Sequence, residues 1–200
     1  MLSKSPLVAY LVVLVLTVII AVVLLTSAST PGLYSVARGT ALVGYQFVVL
    51  SVVSSAFVRP LVRTYRKPFI KLHHWVSITG LVLLALHPLV LVIVTRSPSV
   101  LIAAYTSGEF LRYAGSPALS ALAIAAVAAI LKSRIVKVWR YVHWLNYVAL
   151  VLGTIHAILI GTSVATLPGL RWAFVLLAVA GLAAFIKRLA KRPAPARTRS

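Results

Sequence analysis

Five histidines occupy this chain, and they fall on two apolar segments: His73, His74 and His87 on one, His143 and His156 on the other. An ionisable ring in hydrocarbon is costly to place and is normally retained only with a partner and a task. Neutral imidazole is also the commonest protein ligand for a metal. Two helices that each present an inner and an outer histidine have the layout needed to clamp two flat macrocycles at two depths.

The surrounding chemistry narrows the choice of metal centre. Catalytic zinc normally takes three protein ligands plus a water. Here the single carboxylate, Glu109, lies in an outer loop, and there is no cysteine. Two imidazoles per site suit heme iron, because the porphyrin supplies the other four ligands. With both axial positions filled, dioxygen or substrate has no place at the iron, so outer-sphere electron transfer is the natural chemistry. The absence of cysteine excludes disulfides, thiolate-held iron–sulfur clusters and covalent heme attachment, so any heme is noncovalent.

The elements that position these residues are membrane helices. The chain is 62% hydrophobic and only 10% charged, with mean hydropathy +1.05, more apolar surface than a soluble core of this length can hide. Six segments are apolar enough to cross a hydrocarbon layer of roughly 30 Å, which takes about 20 helical residues. They run near Leu7–Leu25, Gly39–Val58, Leu72–Val94, Pro117–Leu131, Val138–Ile160 and Pro168–Ile186. The fourth is the shortest, and its Ala118–Ala129 stretch suits a closely packed bundle helix. The fold expected is an all-α, integral membrane six-helix bundle. Its organisation is an N-terminal helix and outer loop (1–36), a histidine-bearing core (37–160), a C-terminal helix (161–188) and a disordered basic tail (189–200). The first apolar run exceeds the roughly 7 to 15 residues of a signal peptide, so it is expected to be a retained helix.

Charge orients the bundle. Sixteen basic residues fall on one side, at Lys4, between Arg59 and Lys71, between Lys132 and Arg140, and from Lys187 onward; four, Arg38, Arg96, Arg112 and Arg171, fall on the other. By the positive-inside rule both termini are cytoplasmic, in the plasma membrane. The net charge of +19 is explained by topology and the anionic lipid bilayer rather than by nucleic acid, because the basic residues sit in short loops flanking spans.

On this topology the third and fifth spans both run outward, placing His73 and His143 near the cytoplasmic interface and His87 and His156 toward the outer leaflet. The 14-residue step from His73 to His87 rises roughly 21 Å and returns to within roughly 40° of its starting direction, so the two share a face from which His74 points away. The 13-residue step from His143 to His156 misses its own face by about 140° in an ideal helix. A bend or a widened turn near Gly153 would repair it. Pro88 is expected to kink the other helix, and Gly80 leaves room for a porphyrin against the backbone. Lys71 and Arg140 are placed to pair with inner propionates, and Arg96, Arg112 or Arg171 with outer ones. The four tryptophans, Trp75, Trp139, Trp144 and Trp172, suit interfacial belts.

The strings HHWVSITGLVLLALH (73–87) and HWLNYVALVLGTIH (143–156), with ARGTALVGYQFVVLSVV (37–53) before them, resemble the ferric reductase-like transmembrane domain, the heme module of ferric reductases, NADPH oxidases and the membrane subunit of the methionine sulfoxide reductase system. The resemblance covers roughly residues 37–160. It implies two b-type hemes, one held by His73 and His143 and the other by His87 and His156, carrying electrons outward from a cytoplasmic donor. It also implies that a 13-residue step on the later helix is tolerated. Ferric reductases and oxidases carry a flavin and nicotinamide domain after the helices; here a short basic tail follows Ile186 and no Gly-rich dinucleotide fingerprint is present. No flavin site is expected in this chain. The expected partners are a cytoplasmic flavoprotein or quinol donor, drawn to the basic loops containing Arg63, Arg66, Lys67, Arg134 and Lys137, and an external acceptor or reductase subunit. Two other readings fit the same residues: a quinol-linked cytochrome b membrane anchor, and a non-redox metal or proton transporter.

Overall fold

The computed structural model describes residues 32–58, 62 and 69–190. The expected first span, the basic residues Lys4, Arg59, Arg63, Arg66 and Lys67, and the tail from Lys191 onward lie outside the described residues. Among those described the fold is entirely helical: α1 (Gly32–Ala56), α2 (Phe69–Thr95), α3 (Ser99–Thr106), α4 (Gly115–Ile130), α5 (Trp139–His143), α6 (Leu145–Ile160), α7 (Thr162–Thr166) and α8 (Pro168–Ala190).

Four of these stretches are long and apolar enough to cross a membrane: α1, α2, α5 with α6, and α8. The expected fourth span is α4, a helix of only 16 residues. At about 1.5 Å per residue it falls short of a roughly 30 Å hydrocarbon layer. Six full-length spans are therefore not seen among the described residues. The shortness of α4 goes with its composition, since Ala118, Ala121, Ala125 and Ala128 are all buried and small side chains let a neighbouring backbone come close.

Local chemistry sets the ends of the elements. Arg96 takes a left-handed conformation (φ 54) that stops α2, and Gly108 (φ 75) turns the chain between α3 and α4. Pro168 opens α8, at a position where its missing N–H leaves no hydrogen bond unmade. Pro88 lies inside a continuous α2.

The helices pack as antiparallel pairs, α1 on α2 and α4 on α6, with α8 closing against α1 and α6. The α1–α2 seam is a run of small residues. Ala37, Gly44 and Ser51 recur every seven residues on α1, as His73, Gly80 and His87 do on α2, the spacing that keeps a seam facing its partner. A Cβ at Gly44 would stand 3.0 Å from Leu83 Cβ, and one at Gly80 3.0 Å from Phe47 Cβ and 3.1 Å from the Val48 nitrogen. The space beside Gly80 thus belongs to α1 and not to a porphyrin, which corrects the sequence expectation for that glycine.

A polar tie locks the third layer. The Tyr45 ring stacks on Phe174 with centroids 4.5 Å apart, and its hydroxyl lies 2.7 Å from Thr154 Oγ1. Thr154 in turn donates to the Leu150 carbonyl at 2.6 Å, so Tyr45 must be the donor. The buried hydrogen bonds join α1 to α6, and the ring stack joins α1 to α8. On the outside of α2, Trp75, Ile78, Val82, Leu89 and Ile93 stay exposed, an apolar face suited to lipid.

If the glycine seam sets the α1–α2 distance, Gly44→Leu and Gly80→Leu should each lower stability by roughly 1 to 3 kcal/mol through overpacking, read as a lower thermal midpoint of helical circular dichroism in detergent. Gly32→Leu, where a Cβ meets nothing within 4 Å, should leave the midpoint unchanged.

Candidate functional site

His73, His87, His143 and His156 are all tied down at Nδ1. His87 Nδ1 lies 2.8 Å from the Ala37 carbonyl, His143 Nδ1 3.1 Å from the Ala125 carbonyl and His156 Nδ1 2.9 Å from the Arg112 carbonyl. A carbonyl only accepts, so each of these Nδ1 atoms carries the proton and each Nε2 is left unprotonated, that of His143 facing the Asn146 amide. His73 reaches the same state through a hydroxyl circuit. Ser77 Oγ donates to the His73 carbonyl at 2.7 Å, which leaves Ser51 Oγ to donate to Ser77 Oγ at 2.6 Å. The remaining contact, His73 Nδ1 to Ser51 Oγ at 3.0 Å, must then be donated by the ring.

Each histidine helix has its own support at matching intervals. Ala37 and Ser51 are fourteen residues apart on α1, as are His73 and His87 on α2; Arg112 and Ala125 are thirteen apart beside and within α4, as are His143 and His156. The 13-residue step that breaks helical phase on one strand of the pair is thus matched on the other. The helix is interrupted, but at another place than expected, at Trp144 between α5 and α6 and not at Gly153. There the Trp144 N–H is shared between the Arg140 carbonyl at 3.2 Å and the Tyr141 carbonyl at 3.1 Å, and the Tyr147 N–H reaches the Trp144 carbonyl at 2.9 Å. These are tightened turns, not a widened one, and at about 20° gained per residue so wound they recover only part of the mismatch.

His73 and His143 are close enough for charge on one to act on the other, and so are His87 and His156. The helices that bear them make almost no direct contact, leaving a space between. At the outer level that space is a cavity of about 460 Å³ lined by both His87 and His156, within the roughly 300 to 1,000 Å³ usual for a bound small molecule or cofactor. At the inner level Asn146 Nδ2 stands 3.3 Å from His143 Nε2 while donating to the His143 carbonyl at 2.8 Å. Among the described residues no three His, Cys, Asp or Glu side chains converge as a metal site; the rings come in pairs.

The outer cavity contains polar groups that the sequence did not single out. Arg38 lines it and donates from Nε to Ser163 Oγ at 2.8 Å. Ser116 also lines it, and its buried Oγ has no hydrogen-bond partner among the described residues. A buried hydroxyl without a partner is a group that a ligand can satisfy. Paired bare Nε2 atoms, a largely apolar slot, an arginine and an orphan hydroxyl together fit a heme with its carboxylate edge.

Elsewhere the expected residues scatter. Arg96, Arg112 and Arg171 are absent from the cavity wall, where Arg38 stands instead. Arg112 pairs with Glu109 at 3.1 Å. Arg140 lies over the Trp139 ring, 5.6 Å from its centroid, and Lys71 is exposed. Arg188, in the last turn of α8, is the cation whose charge reaches His73. His74 is exposed, its ring tilted from that of His73. Trp75 and Trp172 are largely exposed, as interfacial side chains would be.

A family model described as ferric reductase like transmembrane component matches residues 39–154. The chain belongs to that family. The matched stretch of this ferric reductase-like chain contains His73, His87 and His143, stops two residues short of His156 and begins one residue after Arg38. Membership makes it an integral membrane protein of a heme-binding, electron-transferring family. No curated protein and no solved structure gives a significant match.

The hydroxyl circuit generates a direct check. Ser51→Ala removes the acceptor of His73 Nδ1–H, and losing such a partner typically weakens metal affinity by roughly 10- to 100-fold. Heme titration of the purified variant should show that loss at one site, with the His87 and His156 site unaffected.

Proposed function

We propose that this chain relays electrons across the plasma membrane through two b-type hemes, one between His73 and His143 and one between His87 and His156, from a cytoplasmic or membrane donor to an acceptor outside. The observation that supports it most directly is the common state of the four rings. Each is held at Nδ1, each keeps Nε2 for a ligand, and each has its counterpart at its own depth. Heme bound there would supply a one-electron iron couple, and His73, His143, His87 and His156 are the residues that would hold it.

The chain's own residues do the rest. Backbone carbonyls and the Ser51–Ser77 pair orient the imidazoles and fix their tautomer. Two cofactor levels near the two faces of the hydrocarbon divide the insulating layer. Arg38 and Ser116 at the outer level, and Arg188 with Lys71 and Arg140 at the inner, are the groups available to heme carboxylates, Arg38 and Arg188 being better placed than the residues first expected. With six spans and both termini cytoplasmic, the basic loops face the donor. Arg134 and Lys137, exposed between α4 and α5, belong to that electropositive surface, whose attraction falls with salt.

Purified protein expressed with ample heme should show a reduced b-type spectrum and about two hemes per chain by pyridine hemochrome. His87→Ala or His156→Ala should remove the outer heme, and His73→Ala or His143→Ala the inner one. A colourless wild type would refute the proposal and favour the non-redox transporter instead. For the donor surface, Arg134→Glu with Lys137→Glu should slow heme reduction by an acidic flavoprotein several-fold and flatten its salt dependence, while leaving reduction by dithionite unchanged.

A further inference from the structure

The turn that enters α4 touches His156 from two sides. The Arg112 carbonyl takes the proton of its Nδ1. Three residues later, a Cβ built at Gly115 would stand 2.8 Å from His156 Nε2 and 3.0 Å from both Cδ2 and Cε1. Equal distances to the atoms on either side of Nε2, scarcely longer than that to Nε2 itself, put such a carbon over the ring face at its ligating tip. No real Cβ tolerates that, and the ring, already held at Nδ1, is what would have to move.

Nothing else at this position calls for glycine. Its φ is not in the left-handed region, and glycine at a helical position is disfavoured relative to alanine. Other glycines have different neighbours. Gly44 and Gly80 face an adjoining helix and Gly153 and Gly169 face nothing within 4 Å, whereas Gly115 has an imidazole where its side chain would be. The next residue, Ser116, supplies the orphan hydroxyl of the same cavity. The turn is braced from outside by Glu109, the one carboxylate of the chain, which accepts from the Tyr113 N–H at 3.2 Å through its carbonyl and pairs with the Arg112 side chain at 3.1 Å.

We infer that the 112–116 turn is a clamp that sets the ring plane of His156, and that residue 115 is glycine so that the imidazole can occupy the place of a side chain. Gly115 is a positioning residue for the outer axial ligand. The inference rests on His156 ligating heme, as proposed above. Ring orientation and the contacts that hold the imidazole are levers on the ligand field and potential of such an iron, so the clamp has a spectroscopic consequence that simple packing lacks.

The test uses full-length protein expressed with ample heme, read by electron paramagnetic resonance of the oxidised form and by pyridine hemochrome. The outer signal is identified as the one that His156→Ala removes. Gly115→Ala should shift or abolish that signal and leave the inner one in place, whereas Gly169→Ala should change neither. In a His156→Ala background, Gly115→Ala should have no further effect, because the ring it collides with is gone. A wild type without heme overturns the clamp together with the reading it rests on. A wild type with both signals, and a Gly115→Ala variant that keeps both unshifted at full loading, overturns the clamp alone. Equal loss of folded protein on Gly115→Ala with and without the His156 ring also overturns it, since the glycine would then serve helix packing.

Discussion

One hydrogen bond, repeated four times, underlies the arrangement: an imidazole Nδ1–H held by an oxygen on the neighbouring helix or, for His156, on the turn that leads into it. It decides which nitrogen has the proton, so Nε2 is left unprotonated, and it fixes the ring against rotation. In hydrocarbon these bonds have little competition from water, and a ring deprived of its acceptor would be a buried unsatisfied donor. The supporting helices α1 and α4 therefore matter as much to the site as the helices that bear the histidines.

That requirement explains the pairing of the helices. Membrane helices gain little from hiding apolar surface from one another, so close approach through small residues does the work. Ala37, Gly44 and Ser51 bring α1 against α2, and the buried alanines of α4 do the same toward α6. Close backbones put carbonyl oxygens within reach of imidazoles. The two histidine helices, by contrast, stay apart. Their separation is what leaves a slot for a cofactor.

The two levels differ in polarity. The outer one opens on a cavity with an arginine and an unpartnered serine. At the inner one the Asn146 amide sits against the His143 ring, and Arg188 of α8 is the nearby cation. Positive charge around both sites is what a cofactor with anionic edges requires. With Glu109 as the only acid in the chain, almost no internal carboxylate competes for it.

Residue types and spacing alone established the membrane setting, the helical class and the two codirectional histidine spans, because hydropathy and a 3.6-residue period are local properties. They also singled out His73, His87, His143 and His156, since an imidazole in hydrocarbon is conspicuous on its own. They left the 13-residue step unexplained and assigned Gly80 to a porphyrin. They also pointed to Arg96, Arg112 and Arg171 where Arg38 stands. Only tertiary structure could decide these matters. The acceptors for three rings are backbone carbonyls, which every residue has, so no side chain marks Ala37, Arg112 or Ala125 in advance. Ser51, Arg38 and Gly115 acquire meaning only from what lies opposite them, and register between helices is set by packing across the seam rather than by any stretch of chain read by itself.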